Sequence, residues 1–289
     1  MPLPPPPPPP PPHVLSLFQI PAGSTGRTAY YGVFRVLQPK RGEIMFVSGA
    51  AGATGAVAGQ LGKIAGCRVL GSAGSAEKVQ ALLDLGFDGA FNYREEDASK
   101  ALDRLAPEGI DLFFENTGGP VSEAVVSRLR DGARIAVSGL IDWYHDFGDL
   151  ARMLPKLARA MLPSSLGAAL HSLSNPLEVP RAAALKFFTH VSLPLAQMRI
   201  GHCDPALVQN QAPRFAGVSF SAENFLVTCF DVDGGRERAE AELGTYVREG
   251  RVKHLETLLQ GSIEDVPRAF IHMLGGGNKG KQIVELVDQ

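Results

Sequence analysis

Short apolar runs alternate with longer segments of helical periodicity from residue 43 onward. The first apolar run covers residues 43–49 and ends in glycine, and helical spacing follows over 56–66. Together they predict one βα unit, because a short apolar run bounded by glycine is typical of a buried strand. The pattern repeats, with strands predicted at 67–73, 89–93, 110–119 and 133–140, and with helices predicted at 76–86 and after the fourth strand through Arg130.

Five strands separated by helices predict the α/β class and a doubly wound parallel sheet of the Rossmann type. The alternation returns near the C-terminus, where it predicts a sixth strand at 223–230, helices at 236–249 and 263–274, and a last strand at 281–287. We therefore expect one domain over 13–250 and a separate C-terminal segment over 251–289.

Residues 147–221 interrupt the predicted domain as a largely helical insertion. Leucine and methionine recur at helical spacing from Leu150 to Leu162, opposite a basic face that carries Arg152, Lys156 and Arg159. Two placements fit such an amphipathic helix. It could lie on a membrane surface, but packing on the host domain or on a second subunit of a homodimer is the more common role.

The N-terminal tail, residues 1–12, contains ten of the 22 prolines of the chain. A continuous proline run adopts polyproline II and buries nothing, so we expect this tail to lie outside the fold in a disordered state. It would either dock in an aromatic groove of a polyproline-reading partner or have no partner at all.

Charge and cysteine content narrow the class of protein. The 28 Lys and Arg residues nearly cancel the 30 Asp and Glu residues, which argues against nucleic-acid and anionic-membrane partners. Cys67, Cys203 and Cys229 form no CxxC pair, which argues against a disulfide framework and a zinc site. No apolar run reaches eighteen residues, and the first residues lack the basic start and apolar core that are typical of a secretory signal. We expect a cytoplasmic protein without a bound metal.

A glycine-rich turn between the first strand and its helix is the strongest chemical signal. Gly49 would permit the tight exit from the strand, Gly52 would let the backbone approach a pyrophosphate, and Gly55 would allow close helix packing. The spacing is GxxGxxG rather than GxGxxG, and a purely structural turn is the alternative. The predicted dinucleotide-binding residues of this turn are Gly49, Ala51, Gly52, Ala53, Thr54 and Gly55.

The end of the second strand indicates which dinucleotide would bind. An NAD site usually has Asp or Glu there, whereas this chain continues after Leu70 with small neutral residues that include Ser72. Lys78 follows at the start of the next helix and would attract a 2′-phosphate. NADP is therefore the favoured cofactor, although Lys78 alone could be an ordinary solvated lysine.

Seven motifs in register support a resemblance to a known family. The chain resembles the zinc-free prostaglandin reductase and alkenal double-bond reductase branch of the medium-chain dehydrogenase/reductase superfamily over 13–146 and 222–289. The motifs are GRTAYYG (26–32), AAGATG (50–55), AGSAEK (73–78), FNY (91–93), ENTGG (115–119), GLIDWYH (139–145) and GGGNKGK (275–281).

The resemblance implies an activity and residue roles. Members of the family use NADPH to reduce the carbon–carbon double bond of α,β-unsaturated ketones and aldehydes. By resemblance, Lys78 and Tyr93 contact the adenosine phosphate side, Asn116 and Asn278 lie near the nicotinamide half, and Tyr144 faces the substrate. A phenol at position 144 could donate to the forming enolate, or it could be only an aromatic lid residue.

The resemblance also implies a missing wall of the substrate cleft. Family members begin with a separate β-rich domain against which the C-terminal segment packs, and this sequence starts where that domain would end. We expect an uncovered apolar surface on 251–289, covered by the insertion, by a partner, or by the rest of a longer product. Reductase activity could be impaired, and a catalytically idle NADPH-binding interaction protein is the alternative function.

Overall fold

The computed structural model describes residues 23–139, 214–215, 218–221 and 235–287, of which the two short segments are described by their backbone alone. The polyproline tail, Tyr144, the amphipathic segment 150–162 and the predicted strand at 223–230 lie outside these residues.

A seven-stranded sheet forms the centre of the described fold, with strand order β3-β2-β1-β4-β5-β7-β6. All neighbouring strands run parallel except the pair β6 and β7. This order and direction confirm the predicted doubly wound α/β sheet. The strands are β1 (Ile44–Val47), β2 (Arg68–Ala73), β3 (Gly89–Asn92), β4 (Ile110–Glu115), β5 (Leu129–Val137), β6 (Arg214–Phe215) and β7 (Val218–Ser221).

Helices cover both faces of the sheet. Met45 and Val47 of β1 pack in one buried cluster, while Ile44 and Phe46 pack in a second cluster on the opposite face. Because β1 is buried on both faces, it reads in the sequence as an unbroken apolar run. The helices are α1 (Ser24–Tyr31), continued by a π-helical segment (Gly32–Leu37), then α2 (Ala53–Ile64), α3 (Ala76–Asp84), α4 (Ala98–Leu105), α5 (Gly119–Val126) and α6 (Gly235–Arg248).

Several predicted boundaries are wrong. Strand β4 ends at Glu115 rather than at residue 119, and residues 116–118 form the loop that follows it. The helix α5 ends at Val126 rather than Arg130, and β5 begins at Leu129 rather than at residue 133. Leu129 is buried opposite Ile110, and the next paired residues are Leu112 and Arg134, so β5 advances five residues where β4 advances two. This irregularity places polar residues in the first half of the strand, which hides the strand from an apolar-run criterion.

The last four residues of the predicted insertion form a strand of the main sheet. Val218–Ser221 is β7, which pairs with β5 in parallel. The sheet therefore extends into 147–221 by its own strand pairing, a feature that the apolar-run pattern did not indicate.

The C-terminal residues form a small βαβ unit beside the main sheet. Strands β8 (Glu256–Gly261) and β9 (Lys281–Leu286) pair in parallel, and a 3₁₀ turn (Ile263–Asp265) and helix α7 (Val266–Leu274) connect them. This unit leaves apolar side chains in solvent, as expected for an uncovered surface. The most exposed are Leu258, Ile263, Phe270, Ile271 and Leu286, at 51 to 70%.

The βαβ unit is attached next to the glycine-rich turn. The Gln60 amide of α2 donates to the Lys253 carbonyl (2.8 Å) and accepts from the Lys253 amide (2.7 Å). Gly280 donates its N–H to the Ala51 carbonyl at 2.7 Å. Gln60 is only 3% exposed, so this attachment is shielded from water. Within the described parts of the chain, every helix is too short or too polar to cross a membrane.

Candidate cofactor site

The candidate site lies at the carboxyl end of β1, between β2 and β4. Strand order reverses there, since the chain first builds outward from β1 to β2 and β3 and then crosses to β4 and β5. In open α/β sheets, ligands bind in the crevice at this switch point. The glycine-rich turn leaves β1 at this edge and leads into the N-terminus of α2.

The three glycines of the turn differ in backbone conformation and in the space available for a side chain. Gly49 has a φ of +54°, and a Cβ there would lie 2.8 Å from Thr117 Cγ2. A Cβ at Gly55 would lie 2.7 Å from the Gly49 carbonyl oxygen, so Gly55 packs directly on the turn. Gly52 has an ordinary φ of −77°, and its nearest obstacle is the Gly49 carbonyl oxygen at 3.2 Å. Gly52 is therefore the position where a side chain would disturb the turn least.

The N-terminus of α2 offers donors to an anion. Gly52 is the N-cap residue, and no side chain caps the helix. The first N–H groups of a helix have no intrahelical acceptor, and the helix dipole adds positive potential there. The amides of Ala53, Thr54 and Gly55 belong to this first turn. A phosphate group is the kind of ligand that such a terminus binds.

An inner cleft of about 270 Å³ opens beside the turn. Ser72 lines it from β2, and its hydroxyl is buried without a hydrogen-bond partner. Buried polar groups normally have partners, so this hydroxyl points to a polar group supplied by a ligand. Thr117 and Gly118 line the cleft from the loop after β4, and Met273, Leu274 and Gly275 line it from the end of α7.

An outer cleft of about 510 Å³ continues past the end of β2 and is rich in cations. Lys78, Arg94 and Lys279 line it together with Ser75. Lys279 is paired with Glu77 at 2.7 Å, whereas Lys78 Nζ donates to the Gly276 carbonyl at 2.6 Å. Partial burial, and secondarily the nearby Arg94 guanidinium, lower the pKa of Lys78. An anion bound here would relieve that repulsion.

Tyr93 and Arg94 stand side by side at the end of β3. Tyr93 is 42% exposed, and the Arg94 guanidinium carbon lies 6.0 Å from the centre of its ring. Tyr93 lines the inner cleft and Arg94 lines both clefts. Sequence reasoning selected Tyr93 but missed Arg94. A basic residue directly after a predicted strand end, at the edge already assigned to a phosphate, was the available signal.

The two candidate asparagines turn their amides toward the backbone. Asn116 Nδ2 donates to the Ser48 carbonyl at 2.7 Å, and Asn278 Nδ2 donates to the Gly280 carbonyl at 2.6 Å. Asn116 therefore connects the loop after β4 to the end of β1. Asn278 orders the loop whose Gly280 contacts the glycine-rich turn. Both asparagines thus belong to segments that border the switch point.

Sequence reasoning also missed the buried carboxylate of Glu115, the last residue of β4. Glu115 is fully buried and accepts hydrogen bonds from Ser48, Thr117, Gly118 and Ser122. Its signal in the sequence was a single acidic residue that ends an apolar strand. Among the described residues, no group of three or more His, Cys, Asp or Glu is placed to hold a metal ion.

Comparison with known proteins identifies relatives of this chain. A family model described as zinc-binding dehydrogenase matches residues 53–168. Prostaglandin reductase 1 from Oryctolagus cuniculus is 32% identical over 268 residues, which cover 92% of this chain and 60% of the relative. The NADP(+)-dependent 2-alkenal reductase from Nicotiana tabacum is 50% identical over 133 residues, which cover 45% of this chain and 39% of the relative.

A solved structure is also similar to this chain over most of its length. The crystal structure of CurA from Vibrio vulnificus in complex with NADPH is similar to this chain with a TM-score of 0.67 and 30% identity. The match covers 95% of this chain and 66% of CurA. This chain therefore spans less than two thirds of the length of each of these three relatives.

The sheet order and the position of the clefts define an α/β domain of the Rossmann type. The matches to the family model and to the named reductases indicate which group of Rossmann-type enzymes this chain resembles. Over most of its length the chain is similar to the zinc-free branch of the medium-chain dehydrogenase/reductase superfamily, which contains prostaglandin and alkenal reductases. The resemblance inferred from the seven motifs is confirmed.

Proposed function

We propose that this chain binds NADPH and acts as a reductase of the carbon–carbon double bond of α,β-unsaturated ketones or aldehydes. The observation that carries the proposal is the cation-rich outer cleft at the end of β2, where Lys78 and Arg94 meet without a carboxylate at the strand tip. The names of the alkenal and prostaglandin reductases, and the NADPH bound to CurA, support it.

In this proposal the outer cleft holds the 2′-phosphate. Ser75, Lys78 and Arg94 supply one hydroxyl and two cations, and charge-assisted hydrogen bonds to phosphate are among the strongest polar contacts in proteins. Glu77 and Glu256 line the same cleft. Glu77 is paired with Lys279, and Glu256 Oε2 lies 3.7 Å from His254 Nε2. The inner cleft takes the adjoining part of the cofactor, where the unpartnered Ser72 hydroxyl gains a partner. The glycine-rich turn receives the pyrophosphate.

A direct test compares NADPH with NADH as ligands of the full chain. We expect at least about tenfold tighter binding of NADPH, because one charge-assisted contact contributes about 1.5 to 3 kcal/mol. Fluorescence titration of both nucleotides measures the ratio, and equal affinities would contradict the assignment of the outer cleft. NADPH binding without turnover of a simple enone would favour the idle NADPH-binding protein over the reductase.

Tyr144 is proposed as the proton donor, on the resemblance and on chemistry alone. Bound NADPH would supply a hydride to the β-carbon of the enone, and negative charge would then build on the carbonyl oxygen. A phenol of ordinary pKa, about 10, stays protonated at neutral pH and can donate to that oxygen. We expect Tyr144→Phe to lower kcat and kcat/KM together by about tenfold or more, because the donor acts mainly in the transition state. Steady-state kinetics on an enone measure this, and unchanged turnover would remove Tyr144 from the mechanism.

The pH dependence of NADPH binding should report on Lys78. Phosphate binds the protonated lysine, so affinity is highest below the Lys78 pKa of the free protein and falls as pH rises through it. Because burial and Arg94 lower this pKa, the fall should begin at a lower pH than for a fully solvated lysine. Arg94→Gln should move the fall to higher pH, since it removes a like charge. Titrations between about pH 7 and 11 measure this, with NADH as a ligand that lacks the 2′-phosphate. A fall at the same pH in both proteins would show that Arg94 does not act on Lys78.

A further inference from the structure

Glu115 is a buried acid at the centre of the switch point, and the proposed function gives it no role. Its side chain is fully buried at the carboxyl end of β4. No described Lys or Arg pairs with it, so neutral donors alone stabilise the carboxylate. Burial of a carboxylate is costly unless such donors are supplied. The identity of the donors therefore indicates what this side chain organises.

The donors come from three segments of the chain. Glu115 Oε1 accepts from the Ser48 hydroxyl at 2.5 Å, from the Thr117 amide at 2.7 Å and from the Gly118 amide at 3.1 Å. The Ser122 hydroxyl of α5 donates to the other oxygen, Oε2. The carboxylate thus joins the last residue before Gly49 to the loop after β4 and to the helix that follows.

A second set of bonds reinforces the first. The Ser48 hydroxyl also accepts from the Asn116 amide at 2.8 Å, while Asn116 Nδ2 donates to the Ser48 carbonyl. The glycine-rich turn and the loop 116–118 are in direct contact, because a Cβ at Gly49 would lie only 2.8 Å from Thr117 Cγ2. Loss of the acceptor at Glu115 would release Thr117 and Gly118, which line the inner cleft.

The position of this loop relative to the two clefts suggests its ligand. The cations of the outer cleft lie on the β2 and β3 side of β1, whereas the loop 116–118 lies on the β4 side. If the outer cleft holds the 2′-phosphate and the turn holds the pyrophosphate, the other half of the dinucleotide must extend toward β4. We propose that Glu115 is a positioning residue that holds the loop 116–118 in place for the nicotinamide half of the cofactor. This inference rests on the proposed function.

The test compares two ligands that share only one half. NADPH carries both halves, and 2′,5′-ADP carries the adenosine half with its 2′-phosphate but no nicotinamide. We expect Glu115→Met to weaken NADPH about tenfold or more and to leave the dissociation constant of 2′,5′-ADP within about twofold. Glu115→Gln should largely restore NADPH binding, because its amide oxygen can accept the hydrogen bonds that Oε1 accepts while its NH₂ group donates to Ser122. Calorimetric titration of the full chain measures both ligands.

Two further variants keep the test decisive if Glu115→Met does not fold. Ser48→Ala removes one Oε1 donor together with the acceptor of the Asn116 amide, and it should show the same selective loss of NADPH. Ser127→Ala is the matched control, because its hydroxyl bonds only within the end of α5, to the Ala124 carbonyl, and nearby Arg128. We expect Ser127→Ala to leave the dissociation constants of both ligands unchanged.

The possible outcomes distinguish failure of this inference from failure of the proposed function. Equal weakening of both ligands, in parallel with a lower melting temperature, would show that Glu115 only stabilises the fold. Unchanged NADPH binding in Glu115→Met would also overturn the inference. A wild-type chain that binds 2′,5′-ADP as tightly as NADPH would overturn the inference but retain the phosphate site. A wild-type chain that binds neither ligand would overturn the proposed function itself.

Discussion

Gly52→Val is expected to abolish measurable NADPH binding while the sheet stays folded. A side chain at the N-cap of α2 would occupy the space where the pyrophosphate approaches the first N–H groups of the helix. Loss of two charge-assisted hydrogen bonds, each about 1.5 to 3 kcal/mol, corresponds to a loss of affinity of about a hundredfold or more. Fluorescence titration with NADPH measures the affinity, and circular dichroism measures the melting temperature.

The structure supplies matched controls for this variant. A Cβ at Gly52 meets only one atom closely, at 3.2 Å, whereas a Cβ at Gly55 would overlap the turn at 2.7 to 3.0 Å. We therefore expect Gly55→Val to lower the melting temperature strongly and Gly52→Val to lower it little. Gly244→Ala in α6 lies outside both clefts and should leave NADPH affinity unchanged. Normal NADPH binding by Gly52→Val would place the pyrophosphate elsewhere.

The sheet could be predicted from the sequence because its central strands are buried on both faces. The apolar runs around β1 and β2 mark these strands within one or two residues, and the glycines that follow mark their ends. The predictions failed where burial is partial. Among the described strands β8 pairs only with β9, none of its residues is fully buried, and the apolar pattern predicted no strand there. The π-helical segment Gly32–Leu37 likewise has no periodicity of its own that a helical or strand pattern would detect.

The candidate site could be predicted only as far as its local motifs reach. Glycine spacing and neutral residues after a strand are readable from neighbouring positions. The contact of Lys78 with Gly276 joins residues 198 positions apart, and Glu115 accepts from Ser48 across 67 positions. Such contacts depend on strand order and on the return of the C-terminal unit to the turn. That return is fixed by Gln60 and Gly280, whose backbone contacts have no sequence signature.

The exposed apolar residues of the C-terminal unit bear on activity as well as on fold. Ile263, Phe270 and Ile271 are each more than half exposed on or beside α7, whose C-terminal end lines the inner cleft. A substrate bound there would have one described wall, so orientation and exclusion of water would be incomplete. We therefore expect cofactor binding to be strong while turnover is weak, which makes cofactor affinity the more informative measurement.

Removal of both cations of the outer cleft is expected to erase the preference for NADPH over NADH. Lys78→Ala and Arg94→Ala should each lower the affinity for NADPH about tenfold. The effect is no larger because both side chains are partly solvated, and solvated charged contacts contribute less than fully buried ones. The double variant should weaken NADPH by about a hundredfold if the two contributions add. NADH affinity should change by no more than about twofold, since NADH has no 2′-phosphate.

The control for this experiment removes one positive charge from a different position in the same cleft. Lys279→Ala removes a cation of the same cleft that is already paired with Glu77. It should weaken NADPH binding less than Lys78→Ala does, because the Lys279 ammonium is already engaged by Glu77, and water screens the charge of the exposed Glu77 carboxylate. Titrations of wild type, the three single variants and the double variant with both nucleotides give the full set. Equal losses of NADPH and NADH in the double variant would show that Lys78 and Arg94 support the fold of the cleft, through the Gly276 contact, and do not recognise the phosphate.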